Sequence, residues 1–246
     1  MDSRSPSWPH DASFATTRWT IIAAAAKRTE SPEARRALES LCQDYWFPLY
    51  AYLRRRGYTK DQAEDHTQAF FMQLLEKHRL ERVRPGEHRF RSFLLASLKH
   101  FVIDDWRRTQ AQKRGGGHSV TSLDIQDAEQ RYCLERNENL SPERFFERSW
   151  ALTVIRRSLE ALRCEYAGAG KTELFDCLKG RITQDENVSS YQEAAVALGM
   201  TENAVRVAVH RMRLRLRELI RMEVAETVVS PEQLEEEIGA LFAALG

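Results

Sequence analysis

The sequence predicts an all-α fold in two helical domains joined by a flexible linker, and three observations lead there. Apolar residues recur at helical spacing through two long stretches. No run alternates apolar and polar residues between turn signals, as a half-buried strand does. The triplet Gly115-Gly116-Gly117, followed by a polar stretch to Leu140, separates the periodic stretches, because consecutive glycines lose the most backbone entropy on ordering. The expected organisation is an N-terminal extension (1–30), a first domain (31–114), a linker (115–140) with a short helix around Ala128 to Arg136, a second domain (141–228) and an acidic amphipathic tail (229–246).

The second domain opens on Ser141-Pro142-Glu143, with serine as N-cap and proline at the first helical position. Tyr191 to Leu198 predicts a short helix with Ser189 and Ser190 as caps, and Gly199 supplies the left-handed residue that ends it. Thr201 caps the next helix, and Glu202 lies near its positive N-terminus. That helix carries Val205, Val209, Met212, Leu216 and Leu219 as one apolar stripe. Arg206, His210, Arg213 and Arg217 fall on other faces, with Arg211 and Arg215 beside them. Helix, glycine turn and capped basic helix are the parts of a helix-turn-helix. The second helix enters the major groove by its N-terminal end while its arginines hold phosphates. Thr201, Asn203, Arg206, His210, Arg211 and Arg213 are the DNA-binding candidates, Asn203 suited to adenine and Arg206 to guanine.

In the first domain, Asp61 to Leu75 predicts a helix with Ala63, Thr67, Phe70 and Leu74 on its apolar face. Asp61, Glu64, Asp65 and Gln68 make an acidic, amide-bearing surface elsewhere. Arg89 to Arg108 predicts a longer helix with Phe90, Phe93, Leu94, Leu98, Phe101 and Val102 as its core face. Lys99, Arg107 and Arg108, with Lys113 and Arg114, make its far end basic.

Composition sets the outer limits. The chain has 246 residues, 42% hydrophobic and 30% charged, and no run approaches the ~20 apolar residues that span a bilayer. Met1 to His10 has neither an apolar core nor a small-residue cleavage site, so a cytoplasmic protein without a membrane segment is expected. Cys42, Cys133, Cys164 and Cys177 show no CxxC spacing and no histidine at a zinc interval. Free thiols, no metal and no cofactor are expected. No Ser-His-Asp or Cys-His set and no glycine-rich phosphate loop can be assembled, so no catalytic residue is assigned. The net charge of +1 hides segregation. Arginines crowd positions 206 to 221, and Glu223, Glu226, Glu232, Glu235, Glu236 and Glu237 follow with no Lys or Arg after Arg221. Basic blocks attract phosphates, and acidic blocks attract or mask basic surfaces.

Three motifs carry a resemblance to RNA polymerase sigma factors of the extracytoplasmic-function type, in the sigma-70 family. Asp61-x-Ala-Glu-Asp-x-Thr-Gln-x-Phe-Phe71 is similar to their region 2.2. Phe90-Arg-Ser-Phe-Leu and Ile103-Asp-Asp-Trp-Arg-Arg108 resemble regions 2.3 and 2.4. Tyr191 to Leu216 resembles region 4.2, with Tyr191, Glu193, Ala195, Gly199, Val205 and Arg211 in matching places. The resemblance implies a non-enzymatic protein whose partners are core RNA polymerase and promoter DNA, and it allows an anti-sigma factor. Asp61, Glu64, Asp65 and Gln68 would dock on the β′ clamp helices. Lys99, Arg107 and Arg108 would hold the backbone of a melted −10 element, whose flipped bases would lie near Arg82 to His88. Asn203, Arg206 and Arg211 would read a −35 duplex. The sequence departs from the family at His66, Ala69 and His100, and at Val207-Ala208, where a phosphate-binding arginine is usual. A stand-alone helix-turn-helix regulator is the alternative, and it leaves the first domain without a task. The acidic tail is expected either to cover basic surface on one of the domains or to remain a solvated cap.

Overall fold

In the computed structural model of the chain, the described residues are 32–76, 89–111, 125–135, 139–182, 188–228 and 230–246. Among them every regular element is a helix: α1 (Pro32–Arg55), α2 (Lys60–Glu76), α3 (Phe90–Ala111), α4 (Ile125–Glu135), α5 (Pro142–Gly168), α6 (Thr172–Ile182), α7 (Val188–Leu198), α8 (Glu202–Ala225) and α9 (Pro231–Leu245). The expected N-terminal extension and the loop Arg82 to His88 lie outside the described residues.

Two compact units divide the helices. Unit 1 takes the described residues up to Leu152 together with Ala225–Gly246, and unit 2 is Thr153–Val224. The expected second domain (141–228) therefore surrenders both its ends. The first turns of α5 and the whole of α9 belong to unit 1, because their buried side chains and ion pairs are made there. Unit 2 is an insertion between two parts of unit 1.

In unit 1, α1, α2 and α3 pack on one another. The sequence stripe reappears as the core. Ala63, Thr67, Phe70 and Leu74 of α2 are buried, as are Phe90, Leu94, Leu98 and Phe101 of α3. They meet Tyr45, Leu49, Tyr50 and Leu53 of α1, with Tyr45 edge-on to Phe90 at 5.3 Å and Phe70 edge-on to Phe101 at 5.9 Å. The turn from α1 to α2 is set locally. Gly57 adopts φ 94°, and the Tyr58 amide donates back to Leu53 O at 3.2 Å, the bonding that closes a helix on a left-handed glycine. Thr59 then opens α2 with a reciprocal cap: its hydroxyl accepts from the Gln62 amide at 3.2 Å, and Gln62 Oε1 accepts from the Thr59 amide at 3.1 Å.

The described part of the linker is α4, which starts three residues before the expected helix. It is anchored to α1. Arg54 donates to both Glu129 carboxylate oxygens, at 3.0 and 2.7 Å, and the Tyr50 hydroxyl donates to the same carboxylate. The Arg131 guanidinium lies 3.6 Å from the centre of the Phe47 ring, and Tyr132 stacks edge-on against Phe145 of α5 at 5.7 Å. The residues expected to span freely between the domains are thus shortened by a helix that unit 1 holds.

Ser141 caps α5 as expected, its hydroxyl accepting from the Arg144 amide at 3.2 Å. In unit 2, α6 packs on α7, and Leu162, Phe175, Leu178, Tyr191, Val205, Val209, Met212 and Leu216 are buried. One detail differs from the sequence reading. α7 begins at Val188, so Ser189 and Ser190 sit inside its first turn rather than at the N-cap position.

The Glu129 cluster generates a prediction. Burial works to raise its carboxyl, but the hydrogen bonds from Arg54 and Tyr50 outweigh it and hold the group below its ordinary value of 4.5. A carboxyl depressed in the folded state stabilises above its unfolded pKa, and that contribution fades as the pH falls below 4.5. Glu129→Ala is expected to cost about 1–3 kcal/mol at neutral pH in urea denaturation. The gap from wild type should narrow in acid, and an equal gap at both pH values would rule this account out.

Candidate polymerase and nucleic-acid interface

The exposed face of α2 is acidic. Asp61 and Asp65 are exposed, Glu64 and Gln68 are half-buried, and Gln68 Nε2 donates to Glu64 Oε1 at 3.2 Å. Partial burial and the neighbouring Asp65 push the Glu64 carboxyl up. The four residues therefore form one surface, its negative charge crowded enough to favour a cationic partner. The opposite face is anchored by the buried Thr67, whose hydroxyl donates to Ala63 O at 2.6 Å. His66 fills the space at the α2–α3 border. Its ring stands edge-on to Tyr58 at 5.2 Å and to Phe101 at 6.5 Å, with Nδ1 3.7 Å from an Asp105 carboxylate oxygen.

On α3, Lys99 is already paired. Its Nζ donates to Glu143 Oε1 at 2.7 Å and lies 5.6 Å from the Tyr52 ring centre. A phosphate at Lys99 must compete with Glu143, and the hydrogen bond from Lys99 holds the Glu143 carboxyl below its ordinary value. Arg107 and Arg108 lie on α3, but their side chains are outside the described residues.

Two further arginines in unit 1 were missed as functional candidates. Arg89 precedes α3, and Arg91 is in its first turn with only 4% of its side chain exposed. The signal was available: Arg91 shares a stripe with Leu95 and Leu98 at intervals of four and three, so a charge falls on a core face. The corresponding signal in α9 is Glu237, between the buried Leu234 and Leu241. The two meet in a buried ion pair.

In unit 2 the turn and second helix are built as predicted. Gly199 has φ 61°, the Met200 amide donates to Ala195 O at 2.9 Å, and Thr201 Oγ1 accepts from the Ala204 amide at 3.2 Å. Thr201 is thus engaged as an N-cap. Asn203, His210 and Arg211 are exposed. Arg206 is tied down: it donates to Glu202 Oε1 at 3.2 and 2.8 Å and lies 4.8 Å from the Tyr191 ring centre. Arg213 is half-buried and bonded to protein. Its Nε donates to Ile182 O at 3.2 Å and its Nη2 to Arg181 O at 2.9 Å, which satisfies carbonyls left over at the end of α6. A phosphate at Arg213 must compete with these two carbonyls. Arg215 is bound to Glu165 and Glu218 at 2.7 and 2.6 Å.

With this geometry in place, one comparison bears on unit 1. Residues 41–112 match the family model of sigma-70 region 2. The matched residues take in the buried part of α1, the acidic helix α2 and α3. Over these residues, less than half of the chain, the protein is similar to region 2 of sigma-70 factors. No curated protein and no solved structure matches the chain. Among the described residues, no group of three or more His, Cys, Asp or Glu is placed to hold a metal, and no helix is long and apolar enough to cross a membrane.

Arg213→Ala is expected to loosen the end of α6 and destabilise the protein by about 1–3 kcal/mol in urea denaturation. Unchanged stability would mean that the two carbonyl contacts carry no weight.

Proposed function

We propose that the chain is a sigma factor of the extracytoplasmic-function type, in which unit 1 docks on core polymerase and engages the −10 element while unit 2 binds the −35 duplex. The observation that supports this best is the coincidence of the region 2 match with an acidic exposed face on α2. Asp61, Glu64, Asp65 and Gln68 meet the basic clamp helices of the β′ subunit, where opposite charge steers and orients docking. Single-stranded −10 bases are held beside α3, their unpairing cost offset by pocket contacts and phosphate neutralisation. In unit 2, Asn203 and Arg211 are open to DNA. Arg206 reads a base only after it leaves Glu202, so its guanine contact carries an extra cost. His66, Ala69, His100 and Val207-Ala208 depart from the family pattern and adjust individual contacts rather than the role.

The deciding experiment is a pull-down with core RNA polymerase. Wild type is expected to bind, and Glu64→Lys/Asp65→Lys is expected to lose binding with its helical circular dichroism intact. Wild-type binding by that double variant removes α2 from the interface. No binding by the wild type would leave a stand-alone DNA-binding regulator.

Arg211→Ala should weaken duplex binding alike on all sequences and lower the slope of log affinity against log salt by about 0.9, the loss of one phosphate contact. A sequence-dependent loss would instead make Arg211 a base reader.

A further inference from the structure

The surface of unit 1 that carries Arg89 and Arg91 is occupied by α9. Arg91 sits beneath it, its guanidinium 4.2 Å from the centre of the Trp150 ring and its Nε 2.6 Å from Glu147 Oε2, while Glu237 pairs with its other edge. Arg89 Nε is 2.9 Å from Glu237 Oε1 and its Nη2 is 3.4 Å from Glu236 Oε2. A second attachment lies near the end of the helix, where Arg148 Nη1 donates to Leu245 O at 3.2 Å.

We propose that α9 is a displaceable cover: Glu236 and Glu237 hold Arg89 and Arg91 in place of the phosphates of single-stranded DNA, and yield them when such DNA binds unit 1. The identity of the competing anion rests on the sigma-factor reading; the cover itself rests on the geometry.

Three features point to displacement. The centre of the buried face of α9 is a carboxylate flanked by Leu234 and Leu241. Replacing a whole buried ion pair by apolar residues of the same volume is often neutral or stabilising, so completing a core does not by itself call for the Arg91–Glu237 pair. What an arginine–carboxylate contact offers is exchange, since a phosphate presents equivalent oxygens to the same planar donors.

The contact is also poorly matched. Arg91 Nε lies 2.6 Å from Glu147 Oε2 and Glu237 Oε1 lies 2.9 Å from Arg89 Nε, so both arginines are paired and the mismatch is one of charge. Burial pushes the Glu237 and Glu147 carboxyls up, and the arginines offset this only in part. Among the described residues, two arginines pair with three carboxylates while α9 is seated and with Glu147 without it. Seated, the face repels a polyanion; vacated, it attracts one.

Finally, access is graded. The Arg89–Glu236 pair lies on the rim, with side chains 41% and 65% exposed, whereas Arg91 and Glu237 are each 4% exposed. A phosphate can take Arg89 first and then replace Glu237 on Arg91.

The test uses the full chain and a fluorescent AT-rich single-stranded oligodeoxynucleotide, without polymerase and at matched salt. Glu236→Gln/Glu237→Gln is expected to bind it about tenfold or more tighter than wild type, with a steeper salt dependence. Glu232→Gln, which removes one carboxylate earlier in the helix, should give little gain. Adding Arg89→Ala/Arg91→Ala to the double glutamine variant should abolish its gain. Unchanged affinity in the glutamine variant, or a gain that survives loss of both arginines, overturns the cover. A chain stopped after Val228 is the second arm. It should stay helical, melt cooperatively and bind like the glutamine variant; loss of its folded state makes α9 a fixed part of the core and equally overturns displacement. The polymerase pull-down keeps the two readings apart. Failure of wild type to bind core enzyme sinks the sigma-factor reading, while normal core binding with no oligonucleotide gain sinks only the cover.

Discussion

A guanidinium with 4% of its surface exposed needs anions around it, because leaving one partner out of a buried pair costs several kcal/mol. Arg91 is in that position, and its demand links three helices that are far apart in the chain. It sits in α3, takes Glu147 from α5 and Glu237 from α9, and rests on the Trp150 ring. Unit 1 is consequently more than the three-helix packing of α1, α2 and α3. Its buried apolar residues come also from α4, α5 and α9, and the charge in the first turn of α3 ties α5 and α9 to it, which makes the unit discontinuous.

Many other basic side chains that the structure describes are also paired with carboxylates. Arg54 is held by Glu129, Lys99 by Glu143, Arg206 by Glu202 and Arg215 by Glu165 and Glu218. On the proposed function, a polyanion would meet paired cations at these positions, and each phosphate would gain less there than at a bare arginine. Such a surface favours a ligand that replaces several carboxylates at once.

Local chemistry was legible in the sequence, and distant pairing was not. The stripe Val205, Val209, Met212 and Leu216, the glycine at 199 and the caps Ser141 and Thr201 follow from spacing and from the conformational needs of single residues, and each appears in the structure where expected. The acidic face of α2 followed from the same periodicity. The partners of Arg213 were not legible, because a basic residue on a basic helix gives no hint that carbonyls at the end of α6 lie within reach. The domain boundary failed for a similar reason. Glycines and charge runs mark where the backbone loosens, but they do not show that the start of α5 and the whole of α9 return to the first unit. Arg91 and Glu237 each break a hydrophobic stripe, which flags a buried charge without naming its partner.

The separation of those two residues has a consequence during synthesis. Glu237 is 146 positions beyond Arg91. At about 5–20 residues per second, the ribosome takes roughly 7–30 s to cover that distance, far longer than helices need to form. Through that interval the nascent unit carries Arg91 with Glu147 at most, and until α5 emerges with no acidic partner from either of these helices. A protein in this state is surrounded by messenger and ribosomal RNA, both dense in phosphate. The late arrival of α9 therefore sets a window in which the half-made chain is at its most adhesive toward the machine that is making it.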